Sequence, residues 1–138
     1  MAELRVLVVE DDPVQASLLG LLLEGMGHKP CAVVGTERAA VAAAAWARPD
    51  LIIIDECLGA GSGARALREI LEERSVAHVL TSGNPSGGLE SWTVVLPKPF
   101  GIKALTHAIA LARRPELLLL MNSHLMVQPA ATSRIASR

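Results

Sequence analysis

Leu51-Ile52-Ile53-Ile54-Asp55 decides the fold of this chain. Four large aliphatics in succession, three of them β-branched, make a strand buried on both faces; a strand with one wet face would alternate. Such a strand belongs inside a parallel sheet. A carboxylate follows at its C-terminal end, where parallel α/β sheets open their ligand crevice. An aspartate delivered there by a rigid strand is held for chemistry or metal binding, unless it is only a turn or cap residue. The other strand ends decide between these two readings.

Working outward toward the N-terminus, Asp50 and Pro49 separate this strand from an alanine-rich helix over 37–47, capped by Thr36, with Trp46 as its core plug. Cys31 to Val34, after Pro30, reads as a short strand. Before it lies a helix opened by Asp12 as N-cap and Pro13 in its first turn. Leu18, Leu19, Leu22, Leu23 and Met26 form its apolar stripe, and Gly27 ends it. The first strand, Leu4 to Val9, also stops at carboxylates: Glu10, Asp11 and Asp12.

Toward the C-terminus, Glu56 to Gly63 is a glycine-rich loop, followed by a helix over 64–73 with Leu67, Ile70 and Leu71 facing in. Val76 to Leu80 is a strand that ends in Thr81-Ser82-Gly83. Pro85, Gly87 and Gly88 disfavour a helix in the next stretch. Trp92 to Leu96 is the last strand, broken by Lys98-Pro99-Phe100. A final helix starts near Ile102 and carries Leu105, Ile109 and Ala112 inward. The alternation predicts an α/β fold, a flavodoxin-like doubly wound five-stranded parallel sheet in the order 2-1-3-4-5, with the fourth helix reduced or absent.

The 138 residues suit one domain with a full core. Residues 1–114 form it. Residues 115–138 are a C-terminal extension, an apolar helix over 115–126 and then a loose tail. Thirteen basic against 14 acidic residues give net charge -1, which offers no electrostatic basis for nucleic-acid binding. No signal pattern opens the chain, and the apolar run Leu117 to Met121 is too short to span a bilayer, so a cytoplasmic domain with no membrane partner is expected. Cys31 and Cys57 suggest no disulfide framework, and the four histidines make no metal-ligand spacing.

The predicted sheet gathers Glu10, Asp11, Asp55, Thr81 or Ser82, and Lys98 at one edge. Several carboxylates in one crevice need a cation, and Mg²⁺ is the natural hard ion for them. A lysine and a hydroxyl beside them suit phosphate oxygens. Together they describe an aspartate that accepts a phosphoryl group.

Val8-Val9-Glu10-Asp11, the strand Leu51 to Asp55, Thr81-Ser82 and Lys98-Pro99-Phe100 resemble, in order and over roughly residues 4 to 113, the response-regulator receiver domain of two-component signalling. The resemblance implies that Asp55 takes a phosphoryl group from a histidine kinase or histidine phosphotransfer protein. It implies Mg²⁺ held by Asp11, Asp55 and the Cys57 carbonyl, with Glu10 acting through metal-bound water. Lys98 would contact the phosphoryl oxygen, Thr81 would be the switch hydroxyl, and the Lys98-Pro99 bond would be cis. Asp12 remains a helix cap and Ser82 a small residue leaving room.

The chain departs from the family at Val95, where an aromatic is usual, at Gly59, where a proline is common, and in its short Thr81 to Lys98 interval. A stand-alone receiver is expected, signalling through protein contacts, with a second copy of the chain as a further candidate partner. It is no conventional enzyme; only Mg-dependent self-phosphorylation and slow autodephosphorylation are expected. The alternative is an interaction or dimerisation module that works without phosphorylation. A phosphatase is disfavoured because Cys57 stands where such enzymes place a second aspartate.

Overall fold

A computed structural model describes residues 2–84, 93–114, 116, 117 and 120. Its elements are β1 (Arg5–Val9), α1 (Pro13–Gly25), β2 (Lys29–Val34), α2 (Glu37–Ala47), β3 (Leu51–Asp55), β4 (Cys57–Leu58), β5 (Gly61–Ser62), α3 (Gly63–Glu73), β6 (Ala77–Ser82), β7 (Val94–Pro97) and α4 (Ile102–Ala112). Five strands form one parallel sheet in the order β2-β1-β3-β6-β7, the doubly wound order expected. β3 is central. Val8 and Val9 pair with Ile53 and Ile54 on one side, and Ile54 and Asp55 pair with Leu80 and Thr81 on the other.

The aliphatic run of β3 is buried throughout because both faces of the sheet are covered. Leu51 and Ile53 join Val6, Val8, Val79, Val94 and Leu96 against α1 and α4, through Leu19, Leu23, Leu105 and Ile109. Ile52 and Ile54 join Leu7, Val9 and Leu80 against α2 and α3, through Ala40, Ala43, Ala44, Leu67 and Ile70. Each isoleucine so buried contributes roughly 1.5–3 kcal/mol. A polar substitution within β3 would therefore unseat the strand that carries Asp55.

The helix starts are where the chain places its capping residues. Asp12 accepts the Val14 and Gln15 N–H groups, and Thr36 accepts that of Ala39. Ser62 caps α3 in the same way, accepting Arg65 N–H at 3.1 Å.

Several expectations need correction. Trp46 is 68% exposed and plugs nothing. Alanines 40, 43, 44 and 47 fill the buried stripe of α2, so position 46 is turned to solvent. Leu18 is likewise exposed, because Ala16, Leu19 and Leu23 make the buried stripe of α1. β2 begins at Lys29 and includes Pro30, which an edge strand tolerates; the pairing with β1 slips between Val6 and Leu7 there. The glycine-rich loop after Asp55 contains a small antiparallel ribbon, β4 with β5, turned at Gly59 with φ +60°.

Among the described residues there are four helices, and none stands between β6 and β7. The stretch 85–92 and most of the extra helix expected over 115–126 lie outside the described residues, as does the tail expected after it. Glu116, Leu117 and Leu120 are helical and exposed. No helix among the described residues is long and apolar enough to cross a membrane.

Candidate functional site

The C-terminal edge of the sheet brings together the residues that the sequence scatters over 88 positions. β1 delivers Glu10, β3 Asp55, β6 Thr81 and Ser82, and the turn after β7 Lys98. Glu10 and Asp55 are buried to 7% exposure, while Asp11 is exposed beside them. Oxygen atoms of Glu10, Asp11 and Asp55 all lie within 4.8 Å of one another. No histidine or cysteine side chain belongs to this group. Thr81, paired with Asp55 in the sheet, is buried and lines a cavity of about 450 Å³ with Glu10, Gln15, Lys98 and Phe100.

Lys98 stands among the carboxylates. Its Nζ lies 3.0 Å from Glu10 Oε1 and 3.2 Å from Asp55 Oδ2. Its position is set by its own strand end, where Lys98 N–H donates to the Ser82 carbonyl at 2.8 Å, and the following Lys98-Pro99 bond is cis as expected. Burial alone would lower the Lys98 pKa, but hydrogen bonds to Glu10 and Asp55, and their charges, outweigh it and raise it. Burial pushes Glu10 above its ordinary value, and the charge of Asp55 adds to this. The Asp12 N–H at 3.1 Å and Lys98 oppose it without cancelling it. One ammonium thus faces three carboxylates, and the excess negative charge favours a further cation.

Hard carboxylate oxygens in a partly open cluster match what Mg²⁺ takes from a protein, one or two carboxylates with the remaining positions left to water and phosphate. The donor set therefore fits Mg²⁺. The Cys57 side chain is exposed and takes no part in the acidic group, while its N–H approaches Asp55 Oδ1 at 3.4 Å.

Four further residues, Gln15, Glu56, Glu37 and Gly63, take part beyond those expected. Gln15 accepts from Lys98 Nζ at 2.6 Å and donates to Asp12 at 3.1 Å, fixing which way its amide points. Glu56 accepts from the Ser82 hydroxyl at 2.6 Å, tying the loop after β3 to the end of β6. Glu37 holds the β5 end of that loop. Gly63 packs so tightly on the Asp55 peptide that a Cβ there would stand 1.9 Å from the Asp55 carbonyl oxygen. Apart from Gln15 with Asp12, these contacts join residues that are not neighbours in the chain, and no local pattern encodes them. A glycine immediately before a helix was the one available signal for Gly63. Val95, in the position where an aromatic would be expected, is half-buried in β7 and paired with Leu80.

Comparison with known proteins gives three results. The family model described as "Response regulator receiver domain" matches residues 6–87, more than half of the chain. Among curated proteins, the DNA-binding response regulator MtrA of Mycolicibacterium smegmatis is 34% identical over 119 residues, 81% of this chain and 52% of that protein. The phyllosphere-induced regulator PhyR of Methylorubrum extorquens is 33% identical over 102 residues, 70% of this chain and 38% of that protein. The chain thus spans about half the length of these relatives, or less. Among solved structures, the receiver domain of the Erythrobacter litoralis response regulator PhyR superposes with a TM-score of 0.70. The alignment has 24% identity and covers 96% of this chain and 98% of that one, which is a likeness of fold.

Proposed function

The chain belongs to the response regulator receiver domain family, and on that premise we propose that Asp55 accepts a phosphoryl group from a phosphohistidine and that the chain signals the change through protein contacts. The observation that carries this reading is the placement of Asp55. It is buried at the end of the central strand, with Lys98 Nζ 3.2 Å from one carboxylate oxygen and two more carboxylates beside it.

In the transfer, an Asp55 carboxylate oxygen forms the new P–O bond while the P–N bond to the donor imidazole breaks. The bonding electrons leave with the imidazole, which takes up a proton. The chain's contribution is positioning and charge neutralisation, as in phosphoryl transfer generally. β3 fixes the nucleophile. Lys98 already lies beside it and can turn its donors from Glu10 and Gln15 toward a phosphoryl oxygen. Thr81, one strand over and level with Asp55, would supply the switch hydroxyl. Asp11, Asp55 and the Cys57 carbonyl would hold Mg²⁺, with Glu10 acting through metal-bound water; when bound, the ion supplies positive charge to the phosphoryl oxygens. The donor's phosphohistidine, on a histidine kinase or histidine phosphotransfer protein, is the substrate. The chain is accordingly a cytoplasmic signalling receiver and no conventional enzyme, beyond slow loss of its own phosphoryl group.

Beryllium fluoride with Mg²⁺ imitates the aspartyl phosphate and tests this reading. One equivalent should bind calorimetrically and be lost in Asp55→Asn. No binding to the parent would favour an interaction module that works without phosphorylation, the reading that Val95 in place of an aromatic supports.

A further inference from the structure

The loop after Asp55 is fastened from outside the site. On its inner side, Cys57 N–H approaches Asp55 Oδ1 at 3.4 Å, and a Cβ on Gly59 would stand 3.7 Å from Asp11 Oδ2. On its outer side it rests against Glu37, the first residue of α2. Glu37 Oε2 accepts Ser62 N–H at 2.5 Å. Arg65, one turn into α3, donates Nε to Oε1 at 3.0 Å and Nη2 to Oε2 at 2.6 Å. The fit is close: a Cβ on Gly61 would lie 2.7 Å from Glu37 Oε2, so only glycine leaves the carboxylate its place.

The loop needs such an anchor. β4 and β5 are two residues each, and a ribbon that short does not hold its shape unaided. Its N-terminal end is tied by Glu56 N–H to the Thr81 carbonyl at 2.8 Å, and its far end to Glu37. Glu37 stands on a rigid support, because Ala40, Ala43, Ala44 and Ala47 bury α2 flat on the sheet. Arg65 and the Ser62 N–H hold its carboxyl below the usual range, so it is charged at neutral pH, and charge-assisted hydrogen bonds are the stronger kind.

We propose that Glu37 is a positioning residue for the metal side of the Asp55 site: by gripping Ser62 and Arg65 it fixes the loop whose main chain borders Asp55 and Asp11. The inference rests on reading the site as a Mg²⁺-dependent phosphoacceptor. Glu37 touches neither the acidic cluster nor the phosphoryl group and acts only through the loop.

The test compares the full chain with Glu37→Ala and Glu37→Gln in three measurements: amide hydrogen exchange over Gly59 to Ser62 without metal, Mg²⁺ affinity by calorimetry, and melting temperature. In Glu37→Ala the Ser62 amide should exchange about tenfold faster or more, since a bond to a charged acceptor is lost. Mg²⁺ should bind about tenfold more weakly, at the low end for residues that orient metal ligands. The melting temperature should change little. Glu37→Gln keeps an acceptor for Ser62 and should recover part of both losses. Faster exchange with unchanged Mg²⁺ affinity would overturn the proposal, because the anchor would then serve the loop alone. Unchanged exchange would overturn it too. A parent chain that takes up no Mg²⁺ overturns the reading of the site together with this inference, and is told apart because it appears before any substitution is made.

Discussion

Gly63→Ala should damage both the fold and the site, and the size of the effect follows from three distances. The added Cβ would stand 1.9 Å from the Asp55 carbonyl oxygen, 2.8 Å from its carbonyl carbon and 3.2 Å from Glu56 Cα. Real Cβ contacts essentially never fall below 3.0 Å, so the start of α3 and the end of β3 must part by about 1.1 Å. Both sides are backbone, so no rotamer change can relieve the clash. A separation of that size pulls the Gly63 N–H off the Glu56 carbonyl, now at 2.8 Å. Overpacking costs ~1–3 kcal/mol and the lost hydrogen bond ~1 kcal/mol, giving a destabilisation of ~2–4 kcal/mol. The melting temperature should drop by roughly 8–20 °C. Gly25→Ala is the control: nothing lies within 4 Å of its Cβ, and in a helix alanine should gain ~0.4–1 kcal/mol. Calorimetric melting of both variants decides. A Gly63→Ala protein that melts within about 2 °C of the parent would refute the close approach of α3 to the Asp55 peptide.

Asp11→Ala should weaken Mg²⁺ binding at least about tenfold without lowering the metal-free melting temperature, since it relieves crowding of like charges; equal affinity by calorimetry would remove Asp11 from the metal set. Glu10 has a folded pKa raised by burial and by the Asp55 charge, so its contribution to stability is fully present below 4.5, its ordinary value, and is lost as pH rises through the raised value. In chelator, the parent's melting temperature should therefore fall relative to Glu10→Gln as pH rises from the acid side toward neutrality; parallel curves would contradict this. Ser62→Ala removes the α3 cap while leaving its N–H on Glu37, and should cost ~1 kcal/mol in denaturant unfolding. Trp46→Ser should change stability by less than ~0.5 kcal/mol, because the ring is exposed.

Much of this was legible in the chain because the sheet announces itself. The unbroken aliphatic run before Asp55, β-branched and short, reads as a doubly covered strand, and carboxylates or hydroxyls at successive strand ends then meet at one edge. Caps at Asp12 and Thr36 were equally plain, since their side chains act on residues two or three positions away. Trp46 and Leu18 were misplaced for a different reason. Trp46 lies off the complete buried stripe that Ala40, Ala43, Ala44 and Ala47 make on α2. Leu18 shares helical spacing with Leu22 and Met26 but stands beside the stripe of Ala16, Leu19 and Leu23 that α1 buries. What the sequence does not carry is pairing across distance: Glu37 with Ser62 and Arg65, Ser82 with Glu56, Gln15 with Lys98. Each is a polar residue on an element surface, and only the packed sheet decides which partner it meets. Gly63 belongs with these, since its need for a bare Cα comes from a strand eight residues earlier that returns beneath it.

Intact-mass analysis of the full chain, incubated with Mg²⁺ and a small-molecule phosphoryl donor, tests the central claim most directly. The account predicts one phosphoryl adduct, mapped to Asp55, lost on base treatment as an acyl phosphate should be, and absent from Asp55→Asn. An adduct of the same stoichiometry on Asp55→Asn, or none on a parent chain shown to bind Mg²⁺, would contradict it.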